Sequence, residues 1–177
     1  GGPMRLTILA ALLLSSLALP AWADDNEAKG QMVVLKANQI GQIFCLSRLG
    51  NDEAVIEGIL TADLSKTLSA AEQKNDAYAK AHPDEEPPLG DGIPWQSTPD
   101  YADTCDIGLV TLSKADARVE IKYGFAADPR SDYVDTLILK KVPIEGMDVG
   151  YWRIDDVLFP DGSDLRKSLA GAFDTYN

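Results

Sequence analysis

Side chains that carry common enzyme chemistry are scarce: the 177 residues hold one histidine, His82, and two cysteines, Cys45 and Cys105. A Ser-His-Asp or Cys-His arrangement would have to be built on His82. That residue stands immediately before Pro83, where a basic side chain at a helix C-terminus is favoured without any catalytic role. There is no H-x-x-x-H, no C-x-x-C, no G-x-G-x-x-G after a strand and no P-loop, so zinc, haem and nucleotide sites have no support and no cofactor is expected. Positive charge is also short, with 16 Lys and Arg against 28 Asp and Glu and a net charge of −12. This balance repels phosphate backbones and anionic headgroups, which argues against nucleic acid and favours a basic partner or plain solubility.

Long apolar runs are limited to one, residues 6–19, which is shorter than the roughly 20 residues that cross a bilayer. Met4 and Arg5 precede it and Pro20-Ala21-Trp22-Ala23 follows with an A-x-A cleavage pattern, so a signal peptide cut before Asp24 is expected. No cysteine follows the cleavage point closely enough for a lipoprotein anchor, and no stable membrane attachment is expected after cleavage. Gly1-Gly2-Pro3, ahead of Met4, is set aside as an expression scar or a misassigned start. The mature part then comprises 154 residues, enough for one domain with its own core, and its charge moves to −13 because residues 1–23 hold one Arg and no acid. A periplasmic or secreted location follows. In an oxidising compartment an even pair of cysteines is normally a disulfide, which predicts a Cys45–Cys105 bridge.

After a lead segment at 24–37, the spacing of Ile40, Ile43, Phe44 and Leu46 predicts a helix over 38–49, with Asn38 as N-cap and Gly50 as C-cap. Asn51-Asp52-Glu53 reads as the start of a second helix bearing Val55, Ile56, Ile59 and Leu60. An Ala-, Lys- and Glu-rich stretch carries a third or continued helix to about His82, where Pro83 stops it. Residues 83–105 carry five Pro and two Gly with no period, and a loop that long is usually functional or disordered. Charged and apolar residues then alternate strictly over 118–123, the pattern of a half-exposed antiparallel strand. Segments 106–113, 132–142 and 150–159 read as three further strands separated by turn clusters. Asp161-Gly162-Ser163 is a turn, with Ser163 placed to cap a last helix bearing Leu165, Leu169 and Phe173. Helices segregated from a four-stranded meander, with a helix at the end, define an α+β domain over 38–177.

Two stretches carry a resemblance: Gly90-Asp91-Gly92-Ile93-Pro94-Trp95 before the sheet, and Tyr151-Trp152-Arg153-Ile154-Asp155-Asp156-Val157 followed by a turn and a Leu-bearing helix. They resemble exported bacterial families of unknown function in the nuclear-transport-factor-2-like superfamily, and the order of elements agrees over about residues 38–176. The resemblance implies helices wrapped around a strongly bent sheet to make a cone. It implies no single function, because that superfamily hosts enzymes, ligand binders and interaction domains.

Simple alternation in the last strand places Trp152, Ile154, Asp156 and Leu158 on one face and Asp155 beside Arg153 on the other. Asp156 among apolar neighbours is the one candidate for the cavity carboxylate that the cone-shaped isomerases and dehydratases use as a base, with Tyr123 or Tyr133 as hydrogen-bond donor. A structural role for Asp156, satisfying backbone groups or a basic side chain, is the competing expectation and the preferred one. Asp161-Gly162-Ser163-Asp164 offers closely spaced oxygens, but turn and cap account for them without calcium, and no distal Glu completes an EF-hand. The loop joins Trp95 and Tyr101 to Asp84, Glu85, Glu86, Asp91, Asp100 and Asp103, a combination of aromatic anchors and acids suited to a basic protein surface. The competing view is that Trp95 plugs the open end of the cone. These features lead to an exported, non-catalytic domain that binds a basic protein of the envelope, as an inhibitor or immunity-type protein. The alternative is a small-molecule binder, or an isomerase- or hydratase-like enzyme using the cone cavity around Asp156.

Overall fold

Apolar residues one helical turn apart build the first helix, α1 (Ala37–Gly50), whose Ile40 and Phe44 are fully buried. At its start the Gln39 side chain accepts from the Lys36 backbone N–H (2.8 Å), and at its end Asn51 adopts the left-handed conformation (φ 47°) that Asn tolerates. The computed structural model describes residues 34–90 and 92–174. The expected signal peptide and Asp91 therefore lie outside the described residues.

The second and third helices divide differently from the sequence expectation: α2 (Ala54–Glu57) is a single turn, and α3 (Ala62–Ala81) runs 20 residues. The break has a physical cause. Residues 59–61 bond to the last strand, with Ile154 N donating to Ile59 O (2.7 Å) and Thr61 N to Ile154 O (2.8 Å). Thr61 then caps α3 by accepting from Leu64 N. At the other end of α3, His82 is the C-cap; its ring stacks on Tyr78 at 4.4 Å and its Nδ1 lies 3.7 Å from Glu85.

The four strands β1 (Thr104–Leu112), β2 (Asp116–Gly124), β3 (Tyr133–Pro143) and β4 (Gly150–Leu158) form one antiparallel sheet in the order β1-β2-β3-β4, so the domain is α+β. Period two is clearest in β2, where Ala117, Val119, Ile121 and Tyr123 are buried while Arg118 and Lys122 are exposed. Their register partners place Tyr133, Asp135, Leu137 and Leu139 on the same face of β3. Helix α1 packs on β1 and β2, and its approach is close: a Cβ at Gly41 would stand 2.8 Å from Val119 Cγ1. The disulfide Cys45–Cys105 fastens α1 to the start of β1 across 60 residues of sequence.

Alternation fails in β4. The register shifts between Ile138 and Leu139, which pair with Asp156 and Ile154, and leaves Asp155 as the extra residue. Ile154 and Val157 are consequently both core residues, and Asp155 turns inward to 8% exposure. Although alternation sets Asp155 on a face with Arg153, the two form no ion pair. Its carboxylate takes a hydrogen bond from Thr61 (2.8 Å) and ion pairs from Lys140 (2.8 Å) and Arg166 (3.0 Å), while Arg153 stacks on Tyr151. The last helix, α4 (Leu165–Gly171), is capped by Asp164 and not by Ser163, because Asp161 has already engaged both the backbone N–H and the hydroxyl of Ser163 in a turn. Among the described residues no helix is long and apolar enough to cross a membrane.

Candidate functional site

One end of the core contains four buried polar atoms with no hydrogen-bond partner among the described residues: Arg48 Nε, Trp95 Nε1, Tyr123 OH and Asp135 Oδ1. Unsatisfied groups of this kind are rare in a folded interior and call for an explanation wherever they concentrate. Each arrives from a different element. Arg48 lies one turn after Phe44 and two after Ile40, on the core side of α1. Tyr123 ends the buried row of β2, and Asp135 sits two positions inward from Tyr133 in the buried row of β3. Trp95 belongs to the Pro-rich loop.

The loop is packed across this end of the sheet by specific bonds. Ser97 N donates to Asp135 Oδ2 (3.0 Å), Gln96 Nε2 donates to Tyr133 OH (3.1 Å), and Leu89 N donates to Asn75 on α3 (2.9 Å). Trp95 is 3% exposed, with its ring edge-on to Phe44 at 6.2 Å. The Arg48 guanidinium lies 5.7 Å from the centroids of both rings. Trp95 is thus a core residue and offers no exposed anchor. Tyr101 is 67% exposed, and Asp84, Glu85, Glu86, Asp100 and Asp103 are each exposed. Some of these acids have local tasks: Glu85 accepts from Tyr78 (2.6 Å), and Asp103 accepts from Ala126 N (2.7 Å).

Burial sets the electrostatics. It pushes the Tyr123 phenol far above its usual value, with the neighbouring Asp135 charge adding to the shift, and it raises Tyr133 by the same two causes. It raises the Asp135 carboxyl against the opposing bond from Ser97. It lowers Arg48, with Glu53 and Tyr123 opposing. Among the described residues the guanidinium makes one hydrogen bond, from Nη2 to Ser47 Oγ (3.0 Å), and no carboxylate forms an ion pair with it. Its Nε is buried without an acceptor among the described residues.

Arg48 and Trp95 form part of the wall of a cleft of about 430 Å³ that is also lined by Glu53, Leu89, Thr98 and Tyr101. A second cleft of about 380 Å³ shares Glu53, Ile93 and Trp95 with the first and continues to Glu57, Leu68 and Glu72. Burial raises the Glu72 carboxyl, and the charges of Glu53, Asp76 and Glu57 raise it further. The first cleft thus sets Arg48 and Glu53 in one lining, and the second is lined by Glu53, Glu57 and Glu72.

Asp156 has a different setting. Its Oδ1 accepts from Val157 N (2.8 Å) and from Arg166 N (3.3 Å) in the first turn of α4, so its carboxylate holds β4 to that helix. Burial raises its carboxyl nonetheless. Arg48 and Asp135 were not anticipated, although the helical spacing from Ile40 and the strand alternation back from Leu137 both mark them as inward-facing polar residues. Among the described residues no group of three or more His, Cys, Asp or Glu is placed to hold a metal ion. Comparison with protein-family models, with curated proteins and with solved structures yields no match for this chain.

Proposed function

We propose that the mature domain is an exported small-molecule binder whose site is the cleft between Arg48 and the loop that carries Trp95 and Tyr101. The observation that carries this reading is the concentration of four unpartnered buried polar atoms at that end of the core, two of them on residues of the cleft wall. A structure that only needed to be stable would fill these positions with apolar groups, since an unsatisfied buried donor or acceptor costs about 1–3 kcal/mol. The cleft volume lies within the range of small-ligand sites. Export rests on the signal-like pattern of residues 1–23 together with the disulfide, and the cone architecture of the nuclear-transport-factor-2-like superfamily is the proposed fold family. The test is a small-molecule screen of the oxidised protein by thermal shift, followed by NMR titration of the hits. Ligands should perturb Trp95 and Tyr101, and Arg48→Met should abolish the response. Hits that act equally on Arg48→Met would place the site elsewhere.

A second reading keeps a basic envelope protein as partner, and the exposure of Tyr101 beside Asp100 and Asp103 supports it. Pulldown from envelope extract with wild type and Tyr101→Ala separates the two, since a protein partner should be lost with Tyr101 and be indifferent to Arg48.

A further inference from the structure

We infer that the ligand is a small zwitterion, a free amino acid or short peptide, with its carboxylate on Arg48 and its ammonium on Glu53 and the neighbouring acids. The inference rests on the small-molecule reading above and assigns the ligand class.

The argument starts from Arg48. It is 9% exposed, and a buried cation is stable only when paired or well bonded. The chain carries 28 acids, yet none of the described ones forms an ion pair with this guanidinium, whose Nε is buried without an acceptor among the described residues. A carboxylate fits the planar fork in a bidentate way and supplies the missing charge. Trp95, which shares this wall, carries a buried Nε1–H without an acceptor among the described residues.

The sign of the other wall selects among anions. Among the described residues Glu53 is the one carboxylate lining the Arg48 cleft, and Glu53, Glu57 and Glu72 line the second cleft. A phosphate would bring two charges against these residues in a chain of net charge −12. A molecule with one negative end and one positive end meets both walls with matching charge. The upward push that Glu53, Asp76 and Glu57 exert on Glu72 is relieved when an ammonium enters among them. Trp95 and Ile93 line both clefts and give apolar contact to a ligand side chain.

The experiment is calorimetric or NMR titration of the disulfide-bonded protein at low salt with L-alanine, L-leucine, L-lysine and L-alanyl-L-alanine. Propionate, isobutylamine and inorganic phosphate serve as single-charge and phosphate probes. At least one zwitterion should bind at least about tenfold more tightly than either single-charge analogue, as expected when one charged hydrogen bond is lost. Arg48→Lys should weaken the zwitterion at least about tenfold while near-ultraviolet circular dichroism stays native, and Glu53→Gln should weaken it without affecting propionate. Phosphate or neutral molecules binding at Arg48 in preference to every zwitterion would overturn the inference and leave the small-molecule reading intact. Absence of binding by these probes and by a broad screen would remove both.

Discussion

Asp135 on β3 and Tyr123 on β2 lie two register positions apart on the buried face of the sheet, and Asp135 Oδ1 and Tyr123 OH both lack a hydrogen-bond partner. The pair is a source of instability that the fold tolerates. Burial raises the Asp135 carboxyl, so its folded-state value exceeds the unfolded one and the folded state holds its proton more tightly. Its contribution to stability is best at acid pH and declines as pH rises through the raised value. Asp135→Asn keeps an oxygen for Ser97 N and removes the charge. The variant should be more stable than wild type by about 1 kcal/mol at pH 7, with the difference shrinking below about pH 4. Urea unfolding at both pH values checks this, and a less stable variant at pH 7 would mean that a charged Asp135 is compensated.

Asp155 has the opposite sign. Burial alone would raise it, but hydrogen bonds from Lys140 and Thr61 and the Arg166 charge hold its carboxyl below the ordinary value of 3.8. The group therefore stabilises the fold above that value, and the contribution is lost as pH falls through the depressed one. Asp155→Ala removes the acceptor that joins α3, β3 and α4, and should cost about 2–3 kcal/mol at pH 7. The deficit should narrow toward pH 2. A deficit independent of pH would assign the loss to packing.

Removing the Cys45–Cys105 bridge frees a loop of 60 residues. The chain-entropy relation puts the loss at about 4 kcal/mol for the doubly substituted Cys45→Ser, Cys105→Ser chain. Denaturant midpoints of wild type with and without reductant, compared with the double variant, measure it. Coincident curves for all three would show that the packing of α1 on β1 and β2 suffices.

The elements that local rules describe were legible in the sequence: the turn of Ile40 and Phe44 in α1, the alternation of β2, and the cysteine pair. The β4 bulge was not, because counting by two carries no record of an inserted residue, and one insertion moves Asp155 inward and Asp156 onto the first turn of α4. The helix break at residues 58–61 depends on a bridge from Leu60 to Ile154, a contact between segments 94 residues apart. The candidate site was legible only in fragments. Tyr123 and Trp95 stood out as aromatics, whereas Arg48 and Asp135 acquire meaning only when α1, β3 and the loop converge.

Trp95 allows the structural and ligand-binding roles to be separated within one side chain. Its ring packs edge-on to Phe44 and beside Arg48 at 3% exposure, so deleting it in Trp95→Ala should cost about 3–5 kcal/mol. Trp95→Phe keeps a ring in the same place and removes Nε1–H, a donor with no acceptor among the described residues. Its loss of volume should cost about 1 kcal/mol, and this is partly offset because no unpaired donor remains buried. If Nε1 serves only the fold, ligand affinity should follow stability, with Trp95→Phe binding like wild type. If it donates to a ligand carboxylate beside Arg48, Trp95→Phe should stay folded yet lose about tenfold in affinity for the zwitterion that binds wild type. Thermal unfolding and titration run on the same two variants decide the matter. Full affinity in Trp95→Phe would leave Arg48 as the sole anion contact and reduce Trp95 to the plug that holds the loop across the end of the sheet.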